Sequence, residues 1–169
     1  TLQEAVNAIP IDGTGAITVE SGTWTGSHNF NVQIVNKIVT ISPKDITEDA
    51  EDVIFSSNSQ NYLFSVGSNG QLYMEDITVI GKFIDAALKF NTVSECTITD
   101  CIFNNTVNSE DKPGTPIYAE NSNLGLYGCT FESNGQTYFM NTNVTIDDCT
   151  FDSNQDINGG AIIADPYSD

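Results

Sequence analysis

Acidic side chains offer the widest choice of chemistry in this chain. Asp147 and Asp148 are adjacent, and Asp152 and Asp156 follow closely. Two carboxylates at a fixed separation can serve as the acid and base of a glycosidase, and clustered carboxylates suit Ca²⁺. The sequence lacks the Asp-x-Asp-x-Asp-Gly pattern of a calcium loop, and an acidic pair at a bend is typical of a solvated turn. We therefore expect a turn at Asp147-Asp148, with a catalytic pair as its alternative and weak surface Ca²⁺ as a further option for the cluster.

The cysteines leave three interpretations open. An even count in an exported protein favours disulfides, stacked positions favour a ladder of buried thiols, and cysteine clusters can bind metal. No CxxC motif or nearby histidine supplies zinc spacing, and parallel Cβ vectors suit disulfides poorly. Buried thiols are the favoured interpretation for all four. Cys101, Cys129 and Cys149 are expected to form the ladder, and Cys96 is expected in the column of Leu124 and Val144, where an ordinary apolar residue serves.

The remaining reactive side chains are isolated. His28 is the only histidine, so a triad or zinc site would lack its other members. Trp24 could stack on a sugar, although packing is the simpler role. A lyase of the pectate type needs an Arg or Lys base, and this chain has five scattered lysines and no arginine. Asn134 and Asn154 recur at bends, where an amide can bond neighbouring backbone and tolerate left-handed dihedral angles.

Composition excludes several classes of function. The 169 residues suit one domain, and 39% apolar content is enough for a continuous core. The formal net charge of −18 repels nucleic acid and anionic lipid. No run of 18 apolar residues predicts a membrane-spanning helix. We expect no nucleic-acid partner and no membrane insertion of this segment, and we interpret the chain as a fragment of a longer surface protein.

A short repeat positions these side chains. Ile98, Leu126 and Ile146 open three matching stretches that continue through a cysteine to a phenylalanine. Met74 opens a fourth, in which Ile77 takes the cysteine place and Val79 ends the stretch. The cysteines in these stretches are 28 and 20 residues apart. Units this short cannot bury an apolar face alone, so they must stack on their neighbours. The alternation turns the aliphatic, cysteine and phenylalanine positions inward, which predicts three files inside one dry core.

Strand signals complete the fold prediction. Leu2 to Ile9 has helical spacing and is stopped by Pro10, and only short β-rich segments follow. Three strands per coil without helices between them predict an all-β, right-handed, single-stranded parallel β-helix with a short N-terminal capping helix. The expected domain is 1–169, with a cap at 1–16 and coils at 17–169. Residues 108–114 are expected to leave the stack as a loop.

Two parts of the sequence carry a family resemblance. The segments Cys129-Thr130-Phe131-Glu132-Ser133-Asn134 and Cys149-Thr150-Phe151-Asp152-Ser153-Asn154, followed by Gly159-Gly160-Ala161-Ile162, resemble the FxxN and GGAI repeats of polymorphic outer-membrane proteins and of adhesin-like surface proteins of methanogenic archaea. Leu2 to Val6 and Ile17 to Trp24 resemble the opening coil that these proteins share with pectin-degrading β-helix enzymes. The resemblance implies a cell-surface passenger or stalk used in adhesion, without catalytic residues.

These observations predict a non-enzymatic, extracellular, adhesin-like module at the cell surface, acting in adhesion or as a scaffold. Its expected partner is a cell-surface protein or glycan. The alternative is a polysaccharide-binding or polysaccharide-cleaving domain of the pectate lyase type. We expect no catalytic, cofactor-binding or metal-binding residue. The sequons that begin at Asn104 and Asn143 permit glycosylation in a compartment that performs it.

Overall fold

A computed structural model describes residues 1–45, 47, 49–93, 95–108, 114–155 and 161–165. The chain begins with the predicted helix, α1 (Leu2–Ala8), which starts at a capping box formed by Thr1 and Glu4. Ile9 ends the helix in an extended conformation immediately before Pro10. Val6 and Leu2 are buried on the inner side of the helix, which thereby covers the first coil.

The rest of the described chain is built from short strands and one 3₁₀ turn (Ser27–Asn29). The strands are β1 (Thr14–Val19), β2 (Gly22–Trp24), β3 (Val32–Val35), β4 (Ile38–Pro43), β5 (Val53–Gln60), β6 (Phe64–Gly67), β7 (Gln71–Glu75), β8 (Thr78–Phe83), β9 (Ala86–Asn91), β10 (Cys96–Thr99), β11 (Ile102–Val107), β12 (Thr115–Glu120), β13 (Asn123–Tyr127), β14 (Thr130–Glu132), β15 (Thr137–Met140), β16 (Asn143–Asp147), β17 (Thr150–Asp152) and β18 (Ile162–Asp165).

Every third strand joins the same parallel sheet, so the fold is a parallel β-solenoid of about six coils with three strands per coil. Sheet A contains β1, β4, β7, β10, β13 and β16, in that order. Sheet B contains β2, β5, β8, β11, β14 and β17, and sheet C contains β3, β6, β9, β12, β15 and β18. The third coil is thus β7 to β9 and the fourth is β10 to β12. The predicted fold class is confirmed.

The register confirms the predicted alignment of the repeats. Met74, Ile98, Leu126 and Ile146 are successive partners across sheet A. The phenylalanines are partners across sheet B, where the rings of Phe103 and Phe131 stack with centroids 5.0 Å apart and those of Phe131 and Phe151 with centroids 4.6 Å apart. Each buried phenylalanine contributes about 1.5–3 kcal/mol through its transfer from water, so these interior files hold the coils together.

The interior is less dry at the last described coil than the alternation predicts. Ile98 and Leu126 are completely buried, but Ile146 is 37% exposed. Val144, Cys149 and Phe151 are only partly buried against the same core. β16 and β17 are the last strands of sheets A and B within the described residues, so no following strand of that set covers them.

The start of the coils differs from the predicted boundary, and two other predicted segments lie largely outside the described residues. The first coil begins at Thr14 rather than at residue 17, because Thr14 to Ala16 pair in parallel with Ile38 to Thr40. That pairing supplies backbone hydrogen bonds which the weak β propensity of Thr14-Gly15-Ala16 does not reveal. The predicted loop at 108–114 is described only at its two ends, and Gly159 and Gly160 of the GGAI motif lie outside the described residues.

Candidate binding surface

The asparagines of the FxxN repeats build the interior corner that follows sheet B. Asn134 is completely buried, and its Oδ1 accepts hydrogen bonds from the backbone nitrogen and the hydroxyl of Thr106, both at 2.9 Å. Its Nδ2 donates to the carbonyl oxygen of Phe103 at 2.8 Å. Asn154 repeats these contacts one coil later, toward Asn134 and Phe131. The predicted bonding to backbone is confirmed.

The expected left-handed dihedral angles belong to the preceding residues instead. Asn105, Ser133 and Ser153 have φ values of 50°, 56° and 53°. Each turns the chain so that the next side chain points inward and can reach the coil before it. The repeated asparagine is therefore an internal link between coils.

All four cysteines are free thiols. Cys101 and Cys129 are buried in the predicted ladder, whereas Cys96 lies in the column of Leu124 and Val144. Burial raises the pKa of Cys96 and Cys129 to about 12, and it raises the pKa of Cys101 well above its ordinary value. The Cys129 sulfur lies 3.4 Å from the carbonyl oxygen of Ile98, which it can meet as a weak donor. Protonated, buried thiols of this kind act as packing groups.

Asp147 and Asp148 form an exposed corner between sheets A and B, as predicted, with Asp148 at φ 51°. Sequence reasoning missed the equivalent acidic pair, Glu75-Asp76, in which Asp76 has φ 52°. Burial raises the pKa of the Asp76 carboxyl, and the charges of Glu75, Asp100 and Asp49 add to this effect. The alignment of Met74 with Ile146 was the signal that could have located it.

Within the described residues, these acidic side chains do not form a set of ligands for Ca²⁺. Asp152 is exposed and accepts a hydrogen bond from Ser153, while Asp156 lies outside the described residues. Across the part of the chain that the structure describes, no group of three or more His, Cys, Asp or Glu side chains is placed to hold a metal ion.

The structure also describes four other residues that the sequence analysis singled out. His28 is exposed in the 3₁₀ turn. Trp24 packs against the core and donates from Nε1 to the carbonyl oxygen of Glu20 at 2.9 Å. The Asn104 amide donates to a Glu132 carboxylate oxygen at 3.0 Å. Asn143 is exposed at the first position of β16.

A polar and aromatic column runs along the outer face of sheet C. The register places Lys89, Tyr118, Tyr138 and Ile163 beside one another on successive coils. The rings of Tyr118 and Tyr138 are stacked, with centroids 5.9 Å apart and an angle of 10° between their planes. A second column on the same face brings Asn91 next to Glu120.

A cleft of about 400 Å³ opens where the third and fourth coils meet on this face. Its polar and aromatic lining comes from Asp85, Lys89, Asn91, Tyr118 and Glu120. The Lys89 ammonium lies 3.4 Å from a carboxylate oxygen of Asp85, and the Tyr118 hydroxyl lies 3.5 Å from one of Glu120. Burial, followed by the Glu120 charge, raises the pKa of Tyr118, so its hydroxyl stays protonated at neutral pH.

Two larger hollows are less suited to binding. A groove of about 690 Å³ follows the corner between sheets C and A, but its polar groups bond one another: Asn141 donates to Asn121 at 2.7 Å, and Ser122 donates to the Glu120 carbonyl at 2.7 Å. A hollow of about 440 Å³ beneath α1 is mainly apolar, and the indole nitrogen of Trp24 is already paired. The cleft on sheet C instead combines an aromatic ring with two carboxylates and an ammonium group, which can contact both the apolar and the polar parts of a ligand.

No family model, curated protein or solved structure matches the chain at a significant level. Within the described residues, no helix is long and apolar enough to cross a membrane.

Proposed function

We propose that this chain is a non-enzymatic, extracellular, adhesin-like module of the cell surface, which carries a recognition surface on a rigid solenoid. The supporting observation is a difference between the inward-facing and the outward-facing residues of the strands. The inward phenylalanine column keeps its residue type in Phe103, Phe131 and Phe151. The outer column of sheet C instead changes from Lys89 to Tyr118, Tyr138 and Ile163. Such variation on the outside fits a stack whose interior maintains the fold while its surface selects a partner.

The residues with catalytic potential support this proposal through the roles they already fill. Asp147-Asp148 lies at a solvated corner, and Asn134 is bonded on all sides within the core. Lys44 is paired with Glu20 at 2.6 Å, and Lys37 donates to the carbonyl oxygen of Val6 at 2.9 Å. These interactions give the side chains concerned structural roles at corners and ends of the solenoid.

The rival function, binding or cleavage of a polysaccharide, is favoured by one observation, the cleft that contains Tyr118. Its lining would suit a sugar whether or not a glycosidic bond is then broken. The two functions differ in product, because an adhesin holds its ligand unchanged whereas an enzyme releases new chain ends.

Attachment and product formation can be measured in parallel. Beads coated with the chain should retain intact cells or immobilised glycans, while beads coated with another protein of comparable net charge should not. The same glycans incubated with the chain should yield no unsaturated or reducing ends. Release of such ends would favour the enzyme, and a lack of attachment to every surface would contradict the adhesin proposal.

A further inference from the structure

We propose that the cleft between the third and fourth coils binds a neutral sugar unit of a glycan, seated against the Tyr118 ring in its wall. This inference rests on the proposed adhesive function, because it names the ligand class of the same surface. It depends on the ring's orientation, the polar atoms around it and the sign of the local charge.

Tyr118 is the aromatic side chain that lines the cleft. Tyr138 stacks on the face that points toward the fifth coil, and the nearly parallel planes place the other face toward the third coil. The neighbour on that side is Lys89, whose ammonium group is held near Asp85. The wall of the cleft therefore contains an aromatic ring, which can contact the C–H groups of a pyranose ring.

The surrounding polar groups match hydroxyls. Glu120 offers a carboxylate acceptor beside the Tyr118 hydroxyl, and Asp85 offers another next to Lys89. The Asn91 oxygen accepts from the Thr92 hydroxyl at 2.9 Å, which orients its NH₂ group as a donor. A cleft of about 400 Å³ lies at the lower end of the roughly 300–1,000 Å³ found for small-ligand sites, so it can hold a short stretch of glycan.

Charge selects a neutral sugar over an acidic one. Two carboxylates, Asp85 and Glu120, face a single ammonium group, that of Lys89, and the whole chain carries a net charge of −18. A uronate or sulfated sugar would enter a field of its own sign. Lys89 is already associated with Asp85 and compensates one of the two carboxylates. Neutral hydroxyls can use the remaining acceptor without an electrostatic penalty.

The test is a binding panel followed by NMR with labelled protein. The probes are maltotriose, cellotriose, mannotriose and N-acetylchitotriose as neutral sugars, trigalacturonic acid as the acidic one and chitosan trimer as the cationic one. We expect at least one neutral trisaccharide to shift the amide signals of Lys89, Asn91, Tyr118 and Glu120, with trigalacturonic acid causing no shift. The inference is overturned if no neutral probe moves these signals, or if a charged probe binds more tightly than every neutral one.

Substitutions of Tyr118 test whether the bound sugar contacts its ring. Tyr118→Ala should weaken the affinity for the neutral probe by about tenfold or more, equivalent to about 1.4 kcal/mol, whereas Tyr118→Phe keeps the ring face and should stay within about threefold. Tyr73→Ala is the matched control, since Tyr73 lies in mid-strand on the outer face of sheet A. Equal losses in the two alanine variants would refute a role for Tyr118.

A change of charge at Glu120 alters the preference between neutral and acidic sugars, which a purely structural role of this residue would leave unchanged. Glu120→Gln should narrow the difference in affinity between neutral and acidic trisaccharides, because it removes one negative charge and retains the side-chain shape. An unchanged ratio would contradict the charge argument, even if Tyr118→Ala proved unfolded by circular dichroism.

The bead assay separates this inference from the proposed function. If beads still attach to cells after Tyr118→Ala and in an excess of the neutral trisaccharide, the adhesive function is supported and the sugar site is overturned. That result is expected if the partner is a protein surface. A trisaccharide that binds in the cleft while no surface is retained would support the site and contradict adhesion.

Discussion

Replacing Asn134 with alanine removes the side chain that joins the fifth coil to the fourth at the interior corner. The loss leaves the backbone nitrogen of Thr106 and the carbonyl oxygen of Phe103 without their amide partner in a completely buried place. The Thr106 hydroxyl still has the Gly114 carbonyl oxygen at 3.1 Å, so it is not stranded. Each buried group that loses its partner costs about 1–3 kcal/mol, and two such groups give a loss of about 2–6 kcal/mol in the free energy of unfolding.

Asn154→Ala is the matched control, because Asn154 makes the same two kinds of bond toward the preceding coil but is only partly buried. Water can replace the lost amide there, so the expected cost is about 1–2 kcal/mol for two ordinary hydrogen bonds. Asn134→Asp provides a second test, since it keeps an acceptor for Thr106 and loses the donor to Phe103. Its destabilisation should lessen at low pH, where a protonated carboxyl can donate in place of the amide.

Urea unfolding followed by circular dichroism measures these differences in free energy. Trp24, the only tryptophan, lies in the first coil and reports the opposite end of the solenoid through its fluorescence. If the coils unfold as one unit, both signals shift together in Asn134→Ala, and if the last coils open first, circular dichroism changes before fluorescence. Equal midpoints for Asn134→Ala and Asn154→Ala would refute the claim that burial makes the fifth-coil amide essential.

Three further changes test the core, the acidic corner and the thiols. Phe131→Ala should cost about 3–5 kcal/mol in urea unfolding because its ring is buried between two others, and Phe151→Ala should cost clearly less; equal costs would contradict the interior file. Asp76→Asn should raise the melting temperature at pH 7 relative to Asp12→Asn, because a carboxyl whose pKa is raised in the folded state loses stability as the pH rises through that pKa. The gain in melting temperature should vanish well below pH 3.8, where the carboxyl is protonated in both the folded and the unfolded state. A gain that persists there would point to another cause. Burial raises the pKa of the Cys96 thiol in the folded state to about 12 from its ordinary value of 9.0, so the stability should fall as the pH rises between these values. Cys96→Val should lessen that fall when urea unfolding is measured across this pH range. An unchanged dependence of stability on pH would exclude this thiol as a contributor.

The solenoid and its register could be predicted from the sequence because inward positions obey a strict constraint. Ile98 and Leu126 must stack directly, since a shift of one residue would turn every apolar side chain to the solvent. The same constraint fixes the phenylalanine file. End effects were predicted less well, because the sequence gives Ile146 the same pattern as its equivalents although its coil is covered less completely.

Corner geometry was predictable only in part. The recurrence of Asn134 and Asn154 indicated a structural role, but which residue takes the left-handed conformation depends on how the chain enters the corner. Ser133 and Ser153 do so, and this leaves the asparagine side chains directed inward. The repeat thus locates a corner more reliably than it assigns the backbone conformation within it.

The cleft could not be found from motifs, because its residues come from two coils and share no pattern. Asp85 and Lys89 belong to the third coil, whereas Tyr118 and Glu120 belong to the fourth. A signal was present in the short strands of sheet C: aligning them would have placed Lys89, Tyr118 and Tyr138 at one position of the repeat. The repeat constrains the residue type only at inward positions, so outward residues at equivalent positions share no motif.

The register of sheet C also explains how one surface can combine a fixed fold with a selectable ligand site. Lys89 and Tyr118 are direct neighbours across β9 and β12, and their inward neighbours Leu88 and Ala119 are completely buried. Because side chains alternate along a strand, an outward substitution changes the lining of the cleft while the buried residues beside it keep the two coils aligned. Conversely, a slip of one residue would turn Tyr118 inward and destroy the cleft together with the core. The stability of the stack is therefore what holds the third and fourth coils in the alignment that a ligand in this cleft would require.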